Sequence, residues 1–124
     1  MAKKMTMETF LKQKGLIENK KENYYSKLFD AEFEVTCSNP AGIVNIMGGN
    51  DDENRKYLKL IYDCCPFFKD EALRAEFDVK DPYDLVVKVF GNKYGEIYKL
   101  GNFILEKYGF LEDTKKEINA IKEQ

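Results

Sequence analysis

Few residues in this chain have side chains suited to covalent or metal chemistry. Cysteine occurs three times, at Cys37, Cys64 and Cys65, and histidine not at all. Without imidazole the commonest general base and metal ligand is gone, and no Cys–His or Ser–His nucleophile pair can be assembled. A structural zinc site takes four ligands, usually thiolate or imidazole. Three cysteines with no C-x-x-C spacing fall short of it. They are read as small buried apolar side chains. Their odd number, with Cys64 and Cys65 adjacent, fits free thiols in a reducing cytosol.

Other residue patterns that resemble sites have simpler explanations. Gly48-Gly49 is not followed by Gly-Lys-Ser/Thr, so it reads as a helix stop rather than a phosphate loop. Asn50-Asp51-Asp52-Glu53 is a run of consecutive residues, whereas a calcium loop needs alternate acidic ligands, a central glycine and a distal glutamate. Negative charge there suits a helix N-terminus. The acidic pairs Asp70 with Glu71, and Asp81 with Asp84, lack any apolar cleft that would push their pKa values apart. The expectation is a non-enzymatic binding protein without metal or cofactor.

Composition narrows the partner. Hydrophobic residues make up 44% of the 124 and charged residues 34%, with nine Phe and eight Tyr, too apolar and aromatic for a disordered chain. The formal charge is −2, and Lys and Arg are interleaved with Asp and Glu. A nucleic-acid binder shows a basic excess or stripe, so nucleic acid and anionic membrane are not expected partners. The tyrosines are read as core residues with exposed hydroxyls rather than base-stacking platforms. No apolar run of about 18 residues occurs, so no membrane span is expected. Met1-Ala2-Lys3-Lys4 is basic, but Glu8, Lys12 and Lys14 leave no apolar signal-peptide core. A cytoplasmic protein is expected.

The elements follow from periodicity and punctuation. A helix is predicted over 6–15, capped by Thr6, with Met7, Phe10 and Leu11 on one face and Gly15 in the left-handed position that ends it. Leu16 would then fold back on Leu11. A hairpin is predicted over 24–37, with Phe33, Val35 and Cys37 on one face and Glu32, Glu34 and Thr36 on the other. A helical body spans 39–110. Ser38-Asn39-Pro40 opens a helix with Ile43, Val44 and Met47 inward. A second helix carries Tyr57, Leu58, Ile61, Tyr62 and Cys65 and stops at Pro66. A short helix covers 71–77. Asp81-Pro82 starts the next, which buries Leu85, Val86, Val89 and Phe90 and ends at Gly91. Asn92 opens the longest, with Tyr94, Ile97, Leu100, Gly101, Ile104, Leu105 and Tyr108 inward, closed by Gly109-Phe110 with Phe110 against Leu105. A C-terminal helix over 113–124 carries the narrow stripe Thr114, Ile118 and Ile121. The expected fold is α+β: a mostly helical single domain with one small antiparallel β-hairpin in the N-terminal third. Met7, Phe10 and Leu11 at one end, and Ile118 and Ile121 at the other, are the candidate partner-binding residues. Such faces seat on their own domain or on another chain.

Three stretches carry a family likeness: Pro66-Phe67-Phe68-Lys69-Asp70-Glu71-Ala72-Leu73, then Phe77-Asp78-Val79-Lys80-Asp81-Pro82-Tyr83-Asp84-Leu85, then Leu100 to Phe110. They resemble the XkdN-like tail assembly chaperones of contractile-tailed phages and prophages of Gram-positive bacteria. There a P-x-F-K-D stretch precedes V-K-x-P-E-E-L, a glycine, a long helix and a terminal G-F. The early T-x-x-x-F-L matches Thr6 to Leu11. This chain departs at Pro82-Tyr83-Asp84-Leu85, and its middle, Gly42 to Asn54, is shorter. The resemblance implies a chaperone that binds the tape-measure protein, helps the tail tube protein polymerise around it, and leaves before the particle is complete. It implies no catalytic residues. It also allows contacts with a second copy or a frameshifted longer form. A structural tail or head–tail component retained in the particle, or a small non-catalytic regulator, remains the alternative reading.

Overall fold

The computed structural model describes residues 4–17, 21–37 and 39–110. Helix α1 (Met7–Gln13) is capped by Thr6, whose hydroxyl accepts from the Thr9 N–H at 3.1 Å. Strands β1 (Glu22–Ser26) and β2 (Ala31–Val35) form a two-stranded antiparallel sheet. Then follow α2 (Pro40–Met47), α3 (Glu53–Cys64), α4 (Glu71–Glu76), α5 (Asp84–Val89) and α6 (Tyr94–Lys107). The fold is α+β, mostly helical, with its hairpin in the N-terminal third, as the sequence predicts.

The core is built on the crossing of α3 and α6. Tyr57, Leu58, Leu60, Ile61 and Cys64 of α3 are buried, as are Ile97, Leu100, Gly101, Ile104 and Leu105 of α6. Gly101 permits the close approach: a Cβ there would stand 2.6 Å from Tyr57 Cε1 and closer still to Cδ1. The Tyr57 hydroxyl donates to Asn102 Oδ1 at 2.6 Å, so the buried ring keeps its polar tip satisfied. One face of the hairpin closes the core through Phe33 and Val35, with Cys37 just beyond, while Glu32 and Glu34 face solvent. That alternation is the predicted one. Phe68 and Phe90, both almost fully buried, pack around Phe33 at 5.9 and 5.6 Å between ring centroids.

Helix ends follow local chemistry. Asp52 caps α3 by accepting from the Arg55 N–H at 2.8 Å, and Asp70 caps α4 through the Ala72 N–H at 2.8 Å. At the end of α6, Gly109 has φ +82°, and the Phe110 N–H reaches back to the Leu105 carbonyl at 2.6 Å, the predicted glycine stop.

Several predicted details differ. Gly15 is not in the left-handed region. Lys14 stays right-handed, and the chain runs on as a 3₁₀ turn over Lys14–Ile17. The side chain of Leu16, and with it the predicted contact on Leu11, lies outside what is described. The ladder lies earlier than predicted: Glu22 pairs with Val35. Thr36 leaves it because its N–H donates to the Cys64 carbonyl at 2.8 Å, drawing the chain onto α3. Val44 of α2 and Tyr94 of α6 are exposed rather than inward. Residues 81–83 form a tight turn, with the Asp81 carboxylate accepting from the Tyr83 N–H at 3.0 Å, so α5 begins only at Asp84. Asn92 does not open α6. It sits left-handed at φ +65°, and its N–H closes α5 on the Val87 carbonyl at 3.1 Å. The cap position of α6 is Lys93, which makes no side-chain cap bond. The predicted helix over 113–124, with Ile118 and Ile121, lies outside the described residues.

Candidate functional site

Helix α1 buries none of its side chains. Met7, Phe10 and Leu11, spaced by three and four residues, share a face and remain 69%, 39% and 55% exposed. Met5, just before the cap, is exposed as well. This is an apolar helical stripe left to solvent, where sequence periodicity placed it. Ile118 and Ile121, the other predicted contact residues, lie outside the described residues.

A second apolar surface lies beside the hairpin. Phe29 in the turn and Phe67 in the 3₁₀ turn Pro66–Lys69 are 43% and 45% exposed. Each flanks Phe33, at 5.9 and 5.6 Å between ring centroids. With Ala31, Val89 and the strand residues Glu32 and Glu34, they line a pocket of about 260 Å³. Sequence reasoning did not single out Phe29 or Phe67. Two signals were present: an aromatic residue inside a hairpin turn, and the Phe67-Phe68 pair, of which only one ring can face the core from a single turn.

The thiols gather at one place. Cys37 and Cys64 border a pocket of about 280 Å³ together with Asp63 and Lys69. All three cysteines are free and buried. Burial pushes the Cys64 thiol up to about 12 and raises Cys37 and Cys65 as well. At neutral pH each is a protonated thiol, which is a poor nucleophile and a poor metal ligand. Among the described residues no group of three or more Cys, Asp or Glu side chains converges to hold a metal ion. No described helix is long and apolar enough to cross a membrane.

A charged cluster joins α3 to the turn before α5. Arg55 pairs with Asp81 at 2.5 Å, and Lys59 with Asp51 at 2.5 Å. Both cations also lie over the Tyr83 ring, at 5.2 and 5.7 Å from its centroid. The bond from the Tyr83 N–H and the Arg55 guanidinium hold the Asp81 carboxyl below the usual carboxylate range. Each charge here has its counter-charge, so the cluster serves as an inter-element clasp rather than an open binding site.

The sequence profile of the phage XkdN-like tail assembly chaperone family matches residues 44–122. The chain belongs to that family. The matched stretch runs from α2 through the α3–α6 core, while the hairpin and α1 lie ahead of it. The fold of this family member is also similar to the crystal structure of the protein YqbN, with a TM-score of 0.60 at 20% identity. The aligned region covers 87% of this chain and 100% of YqbN. At that identity the likeness concerns the fold alone. A comparison with curated proteins gave no match.

Proposed function

We propose that this chain is a non-catalytic tail assembly chaperone of the host cytoplasm that binds the tape-measure protein and helps the tail tube protein assemble around it. The observation that carries this reading is the family match over residues 44–122. The geometry adds a means. A long coiled-coil protein exposes an apolar seam until a tube encloses it, and the face Met7, Phe10 and Leu11 offers a matching helical stripe. Such a stripe is short, so each copy binds weakly and tube subunits displace it. Many copies along one seam supply the total coverage. Ile118 and Ile121 belong to the same proposed contact set.

Co-expression with the tape-measure protein of the same phage or prophage tests this reading. The tape-measure protein is expected in the soluble fraction only when this chain is present. Purified particles are expected to lack the chain. Stoichiometric recovery from mature particles would instead favour a retained structural component.

A further inference from the structure

The 3₁₀ turn Pro66–Lys69 packs beside β2, and between them the aromatic pocket adjoins the strand at Glu32, Phe33 and Glu34. The Thr36 N–H points away from β1, towards the Cys64 carbonyl. Backbone groups alternate sides along a strand, so the N–H and C=O of Glu34 and Glu32 point away from β1 too. Among the described residues no backbone bond outside the hairpin engages residues 32–34. Beside this edge lies the pocket floored by Phe29, Phe33 and Phe67. An edge strand guarded only against aggregation needs its charges and no aromatic pocket.

We propose that this edge and pocket dock an extended segment of a partner polypeptide in which apolar residues alternate with Lys or Arg. The segment adds a third strand to the sheet by bonding Glu32 and Glu34 main-chain groups. Its apolar side chain opposite Phe33 enters the pocket, and its basic side chains lie on the solvent face against the Glu32 and Glu34 carboxylates. Charge decides against a second copy of this chain. Antiparallel self-pairing through the outward residues centres on Glu32, Phe33 or Glu34. It therefore sets Glu32 against Glu32, Glu32 against Glu34, or Glu34 against Glu34, and like charges directly opposite are unfavourable. Lys21 lies 3.3 Å from Glu34, but both side chains are exposed and the pair is screened by solvent, while Glu32 has no ion pair among the described residues. The surface is separate from the α1 stripe and takes a strand rather than a helical seam.

The test is an NMR titration of the isotope-labelled full chain with a short peptide alternating lysine and valine. Three further peptides accompany it: a twin with glutamate for lysine, a scrambled form with the lysines clustered, and a form with proline at the central valine. The alternating lysine peptide should shift the amides of Glu32 to Glu34 and slow hydrogen exchange at Glu32 and Glu34. The other three should bind at least about tenfold more weakly. The double substitution Glu32→Lys with Glu34→Lys, both exposed, should reverse the preference towards the glutamate twin, and Phe67→Ser should weaken the lysine peptide. Equal binding of the clustered and alternating peptides reduces the effect to bulk charge and overturns the proposal. So does an absence of binding, or a shift map away from β2. Concentration-dependent dimerisation abolished by Glu32→Lys would assign the edge to a second copy and overturn it equally.

Discussion

Single atoms decide two matters of stability. Gly101 is required by the Tyr57 ring, into which any Cβ at that position would project. Tyr57 cannot swing aside freely, because its hydroxyl is held by Asn102 at 2.6 Å and its ring packs edge-on to Tyr98 at 4.8 Å. Gly101→Ala gains helix propensity, yet it is expected to lose stability by about 1–3 kcal/mol through overpacking. A fall in the urea midpoint checks this. The reverse case is Ser26, fully buried at the end of β1 with no hydrogen-bond partner for its hydroxyl among the described residues. Ser26→Ala removes that desolvated hydroxyl and is expected to raise stability by up to about 1 kcal/mol. Thermal melting would show it, and a lowered midpoint would mean the hydroxyl is satisfied in solution.

Between elements, the clasp of Arg55 on Asp81 ties α3 to the entry of α5. Asp81 has a folded pKa below its ordinary 3.8, through the Tyr83 N–H first and Arg55 second. The sign follows: a depressed carboxyl pKa contributes stability that is present above the ordinary value and lost as pH falls through the folded value. Melting temperature is therefore expected to drop as pH is lowered below about 4, with Asp51 beside Lys59 acting in the same direction. Asp81→Asn should flatten part of that slope while lowering stability at neutral pH. Asp51 is exposed and Asp81 half-buried, with solvent reaching both, so the effect is modest and weakens with added salt. An unchanged acid slope in Asp81→Asn would remove the clasp from the account.

For the whole molecule, the question is which apolar surface the fold leaves uncovered. The α3–α6 core absorbs most of the aromatic and aliphatic side chains, yet Met7, Phe10 and Leu11 stay outside it. Replacing Met7 and Leu11 together by Glu removes the stripe without touching the core. The expected outcome is an unchanged melting temperature and a tape-measure protein that returns to the insoluble fraction on co-expression. A drop in melting temperature would show that the stripe packs on its own fold, leaving it no role in the partner contact.

The sequence by itself determined the helical stretches between residues 7 and 107, the cap at Thr6, the acidic start of α3, the glycine stop at Gly109, the inward face of β2 and the apolar stripe of α1. These rest on local forces: side-chain spacing, proline and glycine geometry, and carboxylates at helix N-termini. The stretches that carry its family likeness, from Pro66 to Phe110, lie within the segment that matches the family. Contacts between distant segments were decided only in three dimensions. The bond from Thr36 to Cys64 ended the ladder at Val35, and Asn92 went left-handed to close α5 instead of opening α6. The aromatic pocket is the clearest case, because Phe29, Phe33 and Phe67 come from a turn, a strand and a 3₁₀ turn. No periodicity along the chain encodes a neighbour dozens of residues away; packing of the hairpin onto the helical core creates it.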